Sequence, residues 1–162
     1  MLSRFSPWRL ALVLCLLVSF TGRTRGDATC PATCTCVEDS VTCSGSNLTV
    51  LPADIPDNET VRKLCVSRTQ IKSLNATSFN SLTELVSVDL SNNLDLKHIA
   101  DGSFASLTKL ESLTLRRNAI NQLTNETFIG LEQLTSLDLS YNCLTEIPDF
   151  AFHQLKSLQV WI

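Results

Sequence analysis

The chain has 162 residues, 13 of them Lys or Arg and 16 Asp or Glu, which gives a formal net charge of −3. A length of this order suits one ordinary domain, and an acidic balance with scattered signs excludes general recruitment of nucleic acid or anionic lipid. Aromatic residues make up only 6% of the chain while leucine is abundant, which favours a core built from many small equivalent layers.

Residues 1–26 have the layout of a secretory signal peptide. Arg4 and Arg9 precede an apolar run over residues 10–20, and a second basic pair follows the run. The run is shorter than the roughly 20 residues that cross a bilayer, so a cleaved leader fits better than an anchor. Without the leader, nine basic residues face sixteen acidic ones, a net charge of −7. The chain is therefore predicted to be secreted or to lie on the extracellular face of the plasma membrane.

A cysteine-rich segment follows, within residues 27–60. Its cysteines have the spacing C-x3-C-x-C-x6-C and are Cys30, Cys34, Cys36 and Cys43. No histidine lies near them and the secretory pathway is oxidising, so two disulfides are a better account than a zinc site. Spacing alone leaves three connectivities open. A small hairpin is predicted over residues 35–43, turning at Glu38 and Asp39, with Val41 helping to cover the open end of the core.

Residues 61–162 repeat one pattern every 24 or 25 residues. Copies begin at Val61, Leu85, Leu110 and Leu134, and a fifth begins at Leu158. Each copy reads approximately L-x-x-L-x-L-x-x-N-x-L and then continues to a second apolar set. A fixed period of this length is typical of solenoids, in which each copy buries its apolar face against its neighbours.

Side-chain alternation in the first half of each copy predicts a short strand. In the third copy Leu113 and Leu115 point to one side, while the polar residues between them point to the other. Stacked copies then form a parallel sheet. Asparagines recur where each strand ends, and their amides can pair with backbone groups of the turn and of the next copy. These residues, predicted to form a buried ladder, are Asn93, Asn118 and Asn142.

The second half of each copy returns on the outer side and contributes a phenylalanine. The predicted spine on the convex side consists of Phe79, Phe104, Phe128 and Phe152. Two departures mark individual copies. Thr69 replaces the ladder asparagine in the first copy, and one extra residue lies just beyond Asn93 in the second.

The fifth copy stops at Ile162 without a returning half. By register we expect Leu158 and Trp161 to point into the core. Such an end is expected to expose an apolar layer, made of Leu134, Leu137, Leu139, Phe152 and Leu155. We therefore expect either further repeats and a cap after Ile162 or association through this end.

The repeats and the cysteine cap together resemble extracellular leucine-rich repeat proteins with a cysteine-rich N-terminal cap, such as Slit, Toll, neuronal adhesion receptors and variable lymphocyte receptors. The resemblance implies an α/β fold: a right-handed solenoid with a concave parallel sheet and convex irregular or short helical turns. It divides the chain into a signal peptide (1–26), a cap (27–60) and repeats (61–162), four complete and one truncated. It also implies disulfides from Cys30 to Cys36 and from Cys34 to Cys43.

The same resemblance implies a protein-binding function. The chain is then the N-terminal part of a receptor or adhesion ectodomain that binds an extracellular protein ligand or receptor. A structural role in the extracellular matrix is the alternative. No nucleic-acid partner is expected, and membrane contact is expected only through sequence after Ile162.

The strand side chains that point away from the core form an open face. Arg116, Arg117 and Tyr141 are the candidate anchors there, because Arg and Tyr dominate binding hot spots. The alternative is an ordinary solvated face, since positions opposite the core must be polar in any case.

Four sequons offer glycan acceptors in a secreted chain. They begin at Asn47, Asn58, Asn75 and Asn125. Asn75 and Asn125 occupy nearly equivalent positions after the strand turn, on the outer arc, and no sequon falls in a strand. Glycans at these positions are predicted to leave the open face bare.

Two further cysteines, Cys65 and Cys143, lie three repeats apart. At about 4.8 Å per stacked strand this exceeds the roughly 7 Å Cα limit of a disulfide. Cys143 is expected to be tucked in beside the asparagine ladder and Cys65 to face outward, with an intermolecular bond or pairing with sequence not present here as the alternatives.

An enzyme is not indicated. The two histidines, His98 and His153, fall in the returning halves of different copies. No hydrolase, metalloprotease or phosphate-binding motif is present. The sequence therefore predicts no catalytic residue, no cofactor and no metal site.

Overall fold

The computed structural model describes residues 30–55 and 61–162. The predicted signal peptide and the sequon at Asn58 lie outside the described residues. The strands within these ranges are β1 (Cys34–Val37), β2 (Ser40–Ser44), β3 (Lys63–Ser67), β4 (Ser73–Leu74), β5 (Ser87–Asp89), β6 (His98–Ile99), β7 (Ser112–Thr114), β8 (Ser136–Asp138) and β9 (Val160–Trp161).

Seven of these strands form one sheet in the order β1-β2-β3-β5-β7-β8-β9. Only β1 and β2 are antiparallel, and every later neighbour is parallel. Equivalent residues of successive copies are paired, as Val88 is with Leu113 and Leu113 with Leu137. On the returning side β4 and β6 make a second, two-stranded parallel sheet, and turns fill the rest without an α-helix in the described ranges. This is the predicted parallel-sheet solenoid with an N-terminal cap.

The core follows the predicted alternation. Leu113 and Leu115 are fully buried, whereas Ser112 and Thr114 on the same strand are partly exposed. Full burial of one such leucine stabilises the fold by about 1.5–3 kcal/mol. Because equivalent leucines stack from copy to copy, each repeat covers the apolar layer of the previous one.

The phenylalanine spine is confirmed on the returning side. Successive ring centroids lie 5.6, 6.4 and 5.8 Å apart, and all three pairs are stacked. Phe79, Phe104 and Phe128 are buried to 1% exposure or less, while Phe152 is half-buried. Aromatic pairs at this spacing contribute about 0.5–1.5 kcal/mol each beyond the area that they bury.

The asparagine ladder is confirmed, although Asn142, which also donates to the carbonyls of Leu115 and Leu139, is only partly buried. Nδ2 of Asn93 donates to the carbonyls of Val66 and Leu90, at 2.8 Å each. Its Oδ1 accepts hydrogen bonds from the backbone N and the hydroxyl of Thr69. The threonine that replaces asparagine in the first copy is therefore itself held by the ladder. Asn118 is buried like Asn93.

The cap closes the other end of the core. The predicted hairpin forms between β1 and β2, with Glu38 in the turn at a φ of 53°. Cys30 is bonded to Cys36, and Cys34 to Cys43, the pairing that the family resemblance implies. Strand β2 then pairs with β3 in parallel and brings Val41, 1% exposed, against the first repeat.

The expectations for the C-terminal layer are partly wrong. Strand β9 pairs with β8 and covers the layer, so the four leucines expected to be exposed are buried. Trp161 takes the expected core register position, paired with the buried Leu137, but it is 60% exposed. Its ring centroid lies 5.8 Å from that of Phe152, so one side of the indole contacts the spine and the rest faces outward. Leu158 is partly buried against the core.

The extra residue of the second copy is accommodated as predicted. Leu94 is 73% exposed, whereas Leu96 is buried at 1%. The backbone N of Leu96 donates to the carbonyl of Asn93, which closes a turn around the insertion. The register of the following strand is therefore undisturbed.

Candidate protein-binding face

The open face consists of the side chains of the seven-stranded sheet that point away from the core. Its first row is uniform and small, because β5, β7 and β8 each begin with a serine. These serines, Ser87, Ser112 and Ser136, are aligned in register. The next row, also in register, holds Asp89, Thr114 and Asp138. Such short side chains leave these two rows shallow.

Two aspartates on this face are held by the turns that follow them. Asp89 Oδ1 accepts a hydrogen bond from the backbone N of Ser91, and Asp138 Oδ1 accepts one from the N of Ser140, both at 2.8 Å. An aspartate that bonds a backbone N two residues on is a common turn device. The repeated tripeptide Asp-Leu-Ser is the sequence signal for it, and our sequence analysis missed this signal.

A row of left-handed residues borders the open face where the strands end. Arg68, Asn92, Arg117 and Tyr141 have φ between 54° and 61°, and each directly precedes the ladder residue of its copy. Backbone hydrogen bonds join neighbours across this row: the N of Arg68 donates to the carbonyl of Asn92, and the N of Asn92 to that of Arg116. We call these four residues the left-handed row.

The three predicted anchors lie together at the end of this row. Cζ of Arg116 is 4.6 Å from the ring centroid of Tyr141, and Cζ of Arg117 is 5.3 Å from it. Nη1 of Arg116 also lies 3.9 Å from Oδ2 of Asp138. Tyr141 remains 67% exposed. Two guanidinium groups therefore order a large aromatic side chain that is still open to a partner, each contact contributing about 0.5–1 kcal/mol.

Ion pairs concentrate at the opposite edge, where the strands begin. Glu84 receives Nζ of Lys109 at 2.6 Å and Nη1 of Arg62 at 3.3 Å, which links the first two repeats. The hydrogen bond from Lys109 lowers the pKa of Glu84; desolvation opposes it, and the charges of Lys109 and Arg62 lower the pKa further. The cations Arg62 and Lys109 at this edge are therefore already paired with a carboxylate.

The structure bears differently on the two predictions about the remaining cysteines. Cys65 lies in register between Thr42 and Asp89, on the side of the sheet that points away from the core as expected, but it is 5% exposed and is not a free thiol. Cys143 was expected to be tucked in, but it is a free, exposed thiol. Its backbone N donates to the carbonyl of Ile120, so the backbone is held in the ladder turn while the side chain points outward.

The sequon asparagines differ in their surroundings. Asn47, Asn75 and Asn125 are exposed. In the sequon that begins at Asn75, Thr77 is exposed and its hydroxyl donates to Oδ1 of Asn75 at 2.8 Å. By contrast, in the sequon that begins at Asn125, Thr127 is only 1% exposed and its hydroxyl accepts a hydrogen bond from the N of Thr124. None of these asparagines lies in a strand of the sheet.

No group of three metal-binding side chains occurs in residues 30–55 and 61–162. His98 and His153 are both exposed and lie in different repeats. Over the same part of the chain, no helix has the length and apolar character needed to cross a bilayer.

Comparison with known families agrees with the geometry. Models described as "Leucine rich repeat" match residues 59–120 and 108–160, and one described as "Leucine rich repeat N-terminal domain" matches residues 29–56. The chain belongs to the leucine-rich repeat family.

This leucine-rich repeat chain is similar to several known proteins. It is 34% identical to human leucine-rich repeats and immunoglobulin-like domains protein 1, over 92% of this chain and 13% of that protein. It is 34% identical to Toll-like receptor 3 of Bos taurus, over 63% of this chain and 12% of the receptor. Human epiphycan is 35% identical over 60% of this chain and 30% of epiphycan. The chain thus spans less than a third of each of these relatives.

Among solved structures, the crystal structure of a TLR13–ssRNA13 complex superimposes with a TM-score of 0.67 and 32% sequence identity, covering 78% of this chain and 18% of that one. The leucine-rich repeat chain is extracellular, either secreted or at the cell surface, as its relatives and its disulfide-bonded cap show.

Proposed function

We propose that this leucine-rich repeat domain binds an extracellular protein through its open face, as part of a receptor or adhesion ectodomain. The observation that carries the proposal is the cluster of Arg116, Arg117 and Tyr141. It combines an exposed aromatic ring with two guanidinium groups against it. Arg and Tyr are enriched among the residues that contribute most to protein binding.

The surroundings of the cluster support a protein partner. The neighbouring side chains are small, so the sheet can approach a flat or convex surface closely. The backbone beneath is fixed by the ladder and by hydrogen bonds between repeats. A preorganised surface loses little conformational freedom on binding, which increases affinity.

Binding fits this surface better than catalysis or recognition of nucleic acid. The carboxylates of the open face accept hydrogen bonds from turns or face an arginine, so they do not converge on a common reacting atom. The similar TLR13 structure is a complex with ssRNA. Here, however, a net charge of −7 after removal of residues 1–26 opposes polyanion binding.

A glycan placed on the open face tests the proposal. Ser112→Asn creates a sequon with the existing Leu113 and Thr114, in the middle of the sheet and without altering the three anchors. The matched control is Gln133→Asn, which creates the same sequence pattern with Leu134 and Thr135. Gln133 is exposed in the turn before β8. Both variants add one glycan to a similar sequence context.

Binding is measured with the secreted domain and the extracellular protein captured by screening cell-surface and secreted proteins. We expect the glycan at position 112 to abolish binding and the glycan at position 133 to preserve it, with mass spectrometry verifying both glycans. Undiminished binding by the glycosylated Ser112→Asn protein places the interface at an edge or on the returning side and overturns the proposal.

A structural role in the extracellular matrix is the second candidate, supported by the similarity to epiphycan. Full-length protein expressed in cultured cells separates the two roles. Retention in the membrane fraction supports a receptor, and release into the medium with deposition in the matrix supports the structural role.

A further inference from the structure

The basic residues of the described chain divide into two groups with different surroundings. Five of them form ion pairs: Arg62, Lys63, Lys109, Arg116 and Lys156. The other four have no carboxylate partner among the described residues. They are Arg68, Lys72, Lys97 and Arg117.

All four unpaired cations lie in the segments that leave the strands, namely residues 68–74, 92–99 and 117–123. These three segments contain a single acidic residue, Asp95. A locally cationic edge therefore exists on a chain whose overall balance is acidic. The opposite edge, by contrast, satisfies its cations with Glu84, Asp39 and Glu132.

The left-handed row gives this cationic edge a regular spacing. Arg68, Asn92 and Arg117 follow three neighbouring strands of the sheet, β3, β5 and β7. These strands stack at about 4.8 Å, so the two arginines are about 10 Å apart at the backbone. Backbone hydrogen bonds between repeats hold all three in place. Tyr141 follows in the next repeat, where its ring lies against the guanidinium of Arg117.

This stacking matters for recognition. It restrains the long side chain of Arg117 before a partner arrives, so less conformational entropy is lost when a carboxylate binds. A guanidinium over a ring still presents N–H donors at its edge, and these match the two oxygens of a carboxylate. Asn92 between the arginines can donate to a backbone carbonyl of the partner.

We infer that the left-handed row binds an acidic, extended segment of the protein partner, with Arg68 and Arg117 each pairing with one carboxylate. The inference rests on the proposed function and names the chemistry of the partner. An extended chain advances about 3.3 Å per residue, so the two acidic residues are three or four positions apart. A nucleic acid is disfavoured because it brings one negative charge per nucleotide to a chain with a net charge of −7 after removal of residues 1–26, whereas the acidic segment brings only two carboxylates to the row.

The probe is a displayed library of random 12-residue peptides, selected on the secreted domain at physiological salt. We expect enrichment of peptides that carry two Asp or Glu residues three or four positions apart. A synthetic copy of an enriched peptide is then titrated against Arg68→Gln and Arg117→Gln. The matched controls are Arg62→Gln and Lys109→Gln, which remove the same charge from the opposite edge.

Each row variant is expected to weaken the peptide about ten-fold, the effect of losing one charge-assisted hydrogen-bonding partner, and each control less than two-fold. Enrichment of peptides without paired acids, or of none, overturns the inference, and so does an equal effect of row and control variants. A 20-nucleotide single-stranded RNA is titrated in parallel. If it binds more tightly than the peptide and loses affinity in the row variants, the row is assigned to phosphate instead.

The glycan variant keeps this inference distinct from the proposed function. Peptides that are blocked by the glycan of Ser112→Asn but are indifferent to Arg68→Gln and Arg117→Gln overturn the inference alone. Peptides that lose affinity in both row variants but bind regardless of that glycan support the acidic site at the row and contradict the proposed function alone.

Discussion

Replacing Asn118 with Ala tests the ladder that supports the open face. The Asn118 side chain makes three buried hydrogen bonds: Nδ2 donates to the carbonyls of Leu90 and Leu115, and Oδ1 accepts from the backbone N of Asn93. The two carbonyls are shared. Leu90 also accepts from Nδ2 of Asn93, and Leu115 from Nδ2 of Asn142.

The shared carbonyls set the size of the effect. After Asn118→Ala each carbonyl keeps one donor, so only the N–H of Asn93 is left without a partner. An unsatisfied buried N–H costs about 1–3 kcal/mol, and the two other lost bonds about 0.5–1.5 kcal/mol each. The free energy of unfolding is therefore expected to fall by roughly 2–6 kcal/mol, and the melting temperature by about 6 °C or more.

The matched control is Asn121→Ala, three residues along the same turn. Asn121 is exposed, and within the described residues its side chain has no hydrogen bond. Its replacement is expected to change the free energy of unfolding by less than about 0.5 kcal/mol. Urea unfolding followed by circular dichroism measures both variants. Similar destabilisation by the two would refute the ladder register and the reasoning from shared carbonyls.

Three other outcomes are expected. Gly130→Ala should destabilise the fold more than Gly102→Ala. Both glycines have positive φ, but a Cβ at Gly130 would meet backbone atoms of Ala105 at 2.6–3.1 Å, whereas one at Gly102 meets only side chains at 4.0 Å. Equal losses of melting temperature would contradict this. The lowered pKa of Glu84 means that its contribution to stability is present above the ordinary carboxyl pKa and is lost as the pH falls through the lowered pKa. Glu84→Gln should therefore reduce the loss of unfolding free energy that the protein shows as the pH is lowered, and an unchanged loss would count against this role. Peptide mapping without reduction should find the four cap cysteines oxidised and Cys143 reactive with an alkylating reagent; free thiols in the cap would disprove the assignment.

Features set by the repeat period could be predicted from the sequence. The leucine alternation, the phenylalanine spine and the ladder each recur every 24 or 25 residues, so copies support one another in defining the register. Thr69 shows how far this extends: it departs from the pattern, yet its position in the repeat is enough to place it in the ladder. The exposed insertion at Leu94 followed from the same register.

Features set by single side chains could not be predicted in this way. The left-handed row contains no glycine, and of its four residues only Asn92 is of a type that favours a positive φ, so composition did not indicate the row as a whole. The contacts of Arg116 and Arg117 with Tyr141 depend on side-chain rotamers and neighbouring strands, which a repeat pattern does not determine. Trp161 occupies the predicted core register position, but its contact with Phe152 depends on the rotamer of the indole.

The direction of the sheet hydrogen bonds has a mechanical consequence. They run from strand to strand along the stack of repeats, so a pull applied at the two ends of the solenoid loads them one pair at a time. Strands loaded in this way separate like a zipper and resist little force individually. Each repeat that peels off releases 24 or 25 residues, about 80 Å of extended chain. The cap extends much less, because its two disulfides close residues 30–43 into short loops. A domain of this construction lengthens in steps under tension while its N-terminal end stays folded.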